Sequence, residues 1–178
     1  MRVRTLVLTL LAIFIITAAG RLTAQTPAAA PPATLNQLMR GIMFPNSNVI
    51  FSAQDTDPAT VPQASDPSTA TDPLAGSYGG WQAVENSGYA IAEAASLLTV
   101  PGRKCSNGRP VPTQNADWQE YVAGVREAGL AAVKAAQAKN EDQILDVADK
   151  ITTACSNCHD VYREKTAAQG GSANRCTK

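Results

Sequence analysis

The chain has 178 residues, with 15 basic and 15 acidic side chains, one histidine and only 17% charged residues. Its formal charge of zero includes Arg2, Arg4 and Arg21; removing those three of the 15 basic residues leaves 12 against 15 acidic. A slightly negative body argues against a nucleic-acid or anionic-membrane surface, both of which need clustered positive charge.

Residues 1–24 read as a secretory signal: Arg2 and Arg4 precede an apolar run from Leu6 to Ala19. Leu22-Thr23-Ala24 supplies a cleavage site, with Gly20 as a second option. The run is shorter than the ~20 residues of a spanning helix, so no stable membrane insertion is expected after cleavage. Export to the periplasm leaves about 150 residues, enough for one domain with a core. Disulfides also persist in that compartment. Residues 25–33, rich in Pro and Ala, predict a disordered lead-in.

The spacing of Leu35, Leu38, Ile42 and Val49 predicts a first helix, with Thr34 as N-cap and Pro45 expected to kink or break it near Phe44. Residues 54–78 have no periodicity, and Asp57-Pro58, Asp66-Pro67 and Asp72-Pro73 each favour a turn. They predict a long loop, functional or mobile. A second helix is expected over about 80–99, carrying Trp81, Val84, Gly88, Ile91, Ala95 and Leu98, and ended by Pro101-Gly102. A third is expected over about 115–138, with Trp118, Val122, Val125, Gly129, Ala132 and Ala136 in rhythm and Tyr121 beside them. A fourth starts at Asn140, where Asn140 and Gln143 form a capping-box-like pair. Its seam is Ile144, Ala148, Ile151, Cys155, Cys158 and Tyr162.

Cys155-Ser156-Asn157-Cys158-His159 lies on that seam. Two thiols a turn apart on one helix face, followed by an imidazole, are what covalent haem attachment requires. His159, as the sole histidine, is the one proximal iron ligand the chain can offer. Half a zinc site, a redox dithiol and a structural disulfide are the rival readings of C-x-x-C. Zinc would need Cys105 and Cys176, both distant in sequence, and a thioredoxin-like dithiol needs a βαβ pattern that the sequence lacks.

Four helices joined in this way predict an all-α, antiparallel up-down-up-down bundle over residues 34–168, followed by a tail at 169–178. That topology gathers the start of the first helix, the second-to-third turn and the end of the fourth helix at one end. With His159 roughly 12 Å from the end of its helix, Met39 and Met43 roughly 6 and 12 Å into theirs share its level. Ile91, Ala95, Leu98, Trp118, Tyr121, Val122 and Val125 are the expected pocket wall. Cys105 and Cys176 also belong at this end and are expected to form a disulfide, worth about 2–4 kcal/mol.

The run Cys-Ser-Asn-Cys-His-Asp-Val-Tyr-Arg-Glu-Lys (155–165), near the C-terminus, and Leu-Asn-Gln-Leu-Met-Arg-Gly-Ile-Met (35–43) in the first helix resemble the class II cytochromes c. That family comprises cytochrome c-prime and its six-coordinate low-spin relatives. The resemblance covers about residues 34–168; the length of the 54–78 loop and the tail with Cys176 depart from it. It implies one covalent haem c on Cys155 and Cys158, His159 as proximal ligand, Arg163 beside the haem and a possible homodimer through the first two helices. In the low-spin relatives a first-helix methionine completes the iron coordination; the matching position is Met39, with Met43 as fallback. Filled axial sites imply single-electron transfer between redox protein partners. An empty distal site, as in cytochrome c-prime, implies binding of nitric oxide or carbon monoxide instead, with the methionines as core filler. The sequence has no second histidine, nucleophile constellation or phosphate loop, so no enzyme is expected.

Overall fold

Thr34 opens the first helix in the computed structural model, which describes residues 30–178. The expected signal and most of the lead-in, residues 1–29, lie outside the described residues. The Thr34 hydroxyl accepts from the Gln37 N–H, and the Gln37 side chain accepts from the Thr34 N–H. Two donors otherwise orphaned at a helix start are thereby satisfied. From there α1 is one helical run: an α turn Leu35–Leu38, a π-helical turn Met39–Met43 and an α segment Phe44–Ser52.

Near Phe44, where a kink or a break is expected from Pro45, the helix does not break but passes through that π turn. Proline has no N–H to donate, and its ring crowds the carbonyl four residues back, here that of Gly41. Widening the turn by one residue answers both problems, and the Phe44 N–H reaches back to the Met39 carbonyl. The Asn46 side-chain amide donates to the Ile42 carbonyl at 2.7 Å in the same region. Such single π turns inside α-helices recur at functional sites.

The other helices are α2 (Trp81–Leu97), α3 (Ala116–Ala138) and α4 (Glu141–Tyr162), each within a few residues of its expected span. The described residues contain these four helices and no strand, so the architecture is all-α. Asn140 caps α4 by accepting from the Gln143 N–H at 3.0 Å, the forward half of the expected capping pair. α4 stops earlier than expected. The N–H groups of Arg163 and Glu164 both donate to the His159 carbonyl at 2.8 Å and close the helix there. His159 therefore sits about 4.5 Å, not ~12 Å, from its helix end.

α1 packs on α2 and α4, α2 on α3, and α3 on α4. Side-chain bonds give the direction of the α2–α3 pair: Trp118 Nε1 donates to the Leu98 carbonyl, Arg126 to Ala92, and Gln137 to Glu85. Partner numbers rise on one helix as they fall on the other, so the two run antiparallel. They cross at two glycines. A methyl group on Gly129 would meet the Ala92 nitrogen and the Gly88 carbonyl oxygen at 2.8 Å, which only a bare backbone avoids.

The 54–78 segment is irregular apart from a 3-10 turn, Pro67–Thr69. Each Asp-Pro pair forms a turn in which the carboxylate accepts the N–H two residues on: Asp57 from Ala59, Asp66 from Ser68 and Asp72 from Leu74. Leu74 and Pro58 are fully buried and pin the segment to the core. The Gly80 N–H donates to the Leu74 carbonyl at 2.8 Å. Gly80 adopts φ +60°, where a Cβ would strike the Pro58 carbonyl oxygen.

At the other end, Arg103 is buried and donates to the Leu97 carbonyl at 3.0 Å and the Ala33 carbonyl at 2.6 Å. One guanidinium thus caps the end of α2 and fastens the approach to α1. The Leu35 N–H adds a bond to the Lys104 carbonyl at 2.8 Å. Overpacking at the glycine crossing is the sharpest test of this arrangement: Gly129→Ala should cost about 1–3 kcal/mol, read as a lower midpoint in urea, whereas Gly124→Ala, with open space around it, should not destabilise.

Candidate functional site

The seam of α4 carries Cys155 and Cys158 to the inner side of the helix, where both are half-buried and unpaired. Cys155 packs against the larger core cluster, with Met43, Ile91 and Val125. Cys158 packs against the smaller one, with Leu98, Trp118 and Tyr162. Met39 and Ile42 touch both clusters. The π turn thus lies opposite the cysteine motif.

Between α1 and α4 opens a cleft of about 560 Å3, within the range of small-molecule and cofactor sites. Met39, Met43, Ile91, Val125, Cys155 and His159 are among its walls. A smaller space of about 80 Å3 adjoins it, reached by Cys158, Trp118 and the Cys105–Cys176 pair. The two share Asn36, Met39, His159, Arg163 and Arg175, so they lie side by side around His159.

The expected wall is found in part. Ile91 and Val125 line the cleft and Trp118 the smaller space. Ala95, Leu98, Tyr121 and Val122 instead pack in the core clusters behind it. Arg40, Phe44, Ser47, Phe51 and Arg175 line the region without having been singled out from the sequence. Arg175 was legible in principle, because it precedes Cys176, whose disulfide partner was expected at this end.

Burial governs the chemistry of the motif. It pushes the Cys155 thiol up, with Arg163 only partly opposing it. Cys158 is pushed up to about 12, by burial first and then by Cys155 and Asp117. A redox dithiol needs the reverse, a thiol whose thiolate is favoured. For His159, burial and then Arg163 hold the imidazole below its ordinary value, against Glu164 and Asp160. A neutral imidazole keeps a lone pair for a metal. Cys105 and Cys176 are at disulfide distance, with Cα atoms 6.6 Å apart, so neither is available as a zinc ligand.

The end of α4 is anchored on the start of α3. Tyr162 meets the Trp118 ring edge-on at 5.2 Å between centroids. Its hydroxyl donates to Asp117 at 2.8 Å and accepts from Asn115 Nδ2 at 3.0 Å. Lys178, the last residue, reaches the same carboxylate at 3.0 Å.

No family model, curated protein or solved structure matches this chain.

The Asp117 cluster gives a pH prediction. Burial works against its ionisation, but Lys178, Tyr162 and the Trp118 N–H together outweigh it and hold the carboxyl below its ordinary value. A carboxyl lowered by folding adds stability above its unfolded pKa of about 3.9, and loses it as pH falls through the folded value. Asp117→Asn should therefore be less stable than the parent at neutral pH, by thermal melting. The gap should narrow in acid below the ordinary aspartate range.

Proposed function

We propose that the protein is a periplasmic c-type cytochrome of the class II kind, with the four helices arranged as an up-down-up-down bundle around one covalent haem c that passes single electrons between redox proteins. The observation that carries this reading is the pair of adjoining spaces around His159, lined between them by both motif cysteines, the only histidine and both first-helix methionines. Contacts of α1 with α2 and α4, and of α3 with the same two helices, support the bundle.

The donor set fits such a group. Cys155 and Cys158 would hold it through thioether bonds, His159 would ligate the iron from α4, and Met39 would complete the coordination from α1, with Met43 the fallback. Bound there, haem c supplies a one-electron iron couple whose potential a thioether ligand raises. The protein's own part is arrangement. Ile91, Val125, Ala128 and Ala154 give the cleft apolar walls that limit water, and a low local dielectric favours the less charged iron state. Burial favours the neutral form of His159 and the protonated form of both thiols. Phe44, 65% exposed at the lip, offers an apolar contact for a docking partner beside the cleft.

The gas-binding reading draws on one observation: Met43 is only 7% exposed and lies within the core cluster. A methionine that serves as core packing need not ligate, and an iron without a first-helix thioether has an open distal position.

Two measurements test the proposal. Protein made with a c-type maturation apparatus should exceed the polypeptide mass by one haem; the bare mass would end the reading. Its ferrous spectrum should be low-spin and unmoved by carbon monoxide, and Met39→Ala should turn it high-spin and responsive. A parent that binds carbon monoxide at once would assign the gas-binding function, and an unchanged Met39→Ala spectrum would shift the ligand to Met43.

A further inference from the structure

We infer that Arg175, carried over the cleft by the C-terminal strap, is the residue that binds an anionic edge of the bound group, receiving a carboxylate side chain of the porphyrin. The inference rests on the haem c reading above. Residues 163–178, beyond the end of α4, form the strap.

The strap is built in, not draped. Cys176 is bonded to Cys105 in the α2–α3 turn, and its N–H donates to the Tyr162 carbonyl at 2.7 Å. Asn107 Nδ2 lies within 3.1 Å of the carbonyls of Ser172, Ala173 and Arg175. Arg109 Nε donates to the Ala173 carbonyl at 2.9 Å. These bonds come from a turn more than 60 residues earlier in sequence, so they fix the strap against the body. Cys176 even holds φ +65°, a left-handed conformation unusual for a residue with a Cβ.

The product of that tethering is the position of one side chain. Arg175 is half-buried and lines both the main cleft and the adjoining space. Its Nε donates to the Arg163 carbonyl at 3.2 Å, which orients the guanidinium. The two ion pairs at this mouth, Arg163–Glu164 and Lys178–Asp117, leave Arg175 without a carboxylate partner among the described residues. A partly desolvated cation beside apolar walls is costly until an anion meets it. A porphyrin joins an apolar face to carboxylate side chains, the combination that such walls and a guanidinium fork recognise. Arg40, also at the lip, is exposed, so water and salt screen its charge. Arg163 is already engaged by its neighbour.

The test uses the full haem-loaded chain as parent, Arg175→Met and Arg175→Lys. Mass measurement comes first; a parent without haem sinks the cytochrome reading and this inference with it, whereas the variants below test Arg175 alone on a loaded parent. Midpoint potential then reads the charge. A cation beside the group favours the reduced state, so Arg175→Met should shift the oxidised-to-reduced ratio at fixed ambient potential threefold to tenfold toward oxidised, up to about 59 mV for one electron. Arg175→Lys should stay close to the parent, and both variants should keep the parent's helical circular dichroism. If Arg175→Met carries its haem with an unchanged potential, the inference is overturned. An equal drop in both variants overturns it too, since charge would then not be the cause. Replacing chloride by inorganic phosphate at equal ionic strength should leave the parent's potential alone. A fall specific to the parent would give Arg175 to a free anion instead.

Discussion

The Cys105–Cys176 disulfide is the constraint on which this end of the molecule depends. It joins the α2–α3 turn to a segment only two residues from the C-terminus, closing a loop of 71 residues that contains all of α3 and α4. Cross-links over loops of this length remove much conformational freedom from the unfolded chain, about 4 kcal/mol in the chain-entropy account. Its local consequence matters more. It brings Lys178 to Asp117, sets Arg175 at the cleft and holds the strap against Tyr162.

A second device works from the opposite side of the cleft. Pro45 cannot serve an ordinary α turn, and the helix answers with the π turn Met39–Met43. Both methionines of that turn line the cleft that Cys155 and His159 face from α4. A helix-breaking residue thus shapes the wall of the site without ending the helix. Arg103 holds the same helix start from below, through the Ala33 carbonyl, while capping α2. The start of the helix that carries Met39 is therefore held by the Arg103 side chain and by the Leu35–Lys104 backbone bond.

The two cores divide the labour. The larger cluster runs along α1 to α4 and is dominated by alanine on α2 and α3, so those helices approach closely enough for the Gly88–Gly129 crossing. The smaller cluster, around Trp118, Tyr162 and the disulfide, seals the motif end. Small residues bring backbones together, and two large aromatics, Trp118 and Tyr162, fill the space at the motif end.

Read alone, the sequence determined what depends on neighbours along the chain. Helical periodicity placed α2 and α3 within a few residues, because an apolar stripe at 3.6-residue spacing has one way to be buried. Thr34 and Asn140 announced their caps, and the three Asp-Pro pairs announced their turns, through bonds that reach only two or three residues. Cys155-Ser156-Asn157-Cys158-His159 was legible as a unit for the same reason. Tertiary structure decided the rest: the π turn near Phe44, the early stop of α4, the displacement of Ala95, Leu98, Tyr121 and Val122 into the core, and the arrival of Arg175 at the cleft. Each of these depends on groups that meet only after the chain has folded, such as the Asn107 and Arg109 side chains on a strap more than 60 residues away. Local patterns carry no term for such meetings, so periodicity could name the helices but not the residues that would finally surround the site.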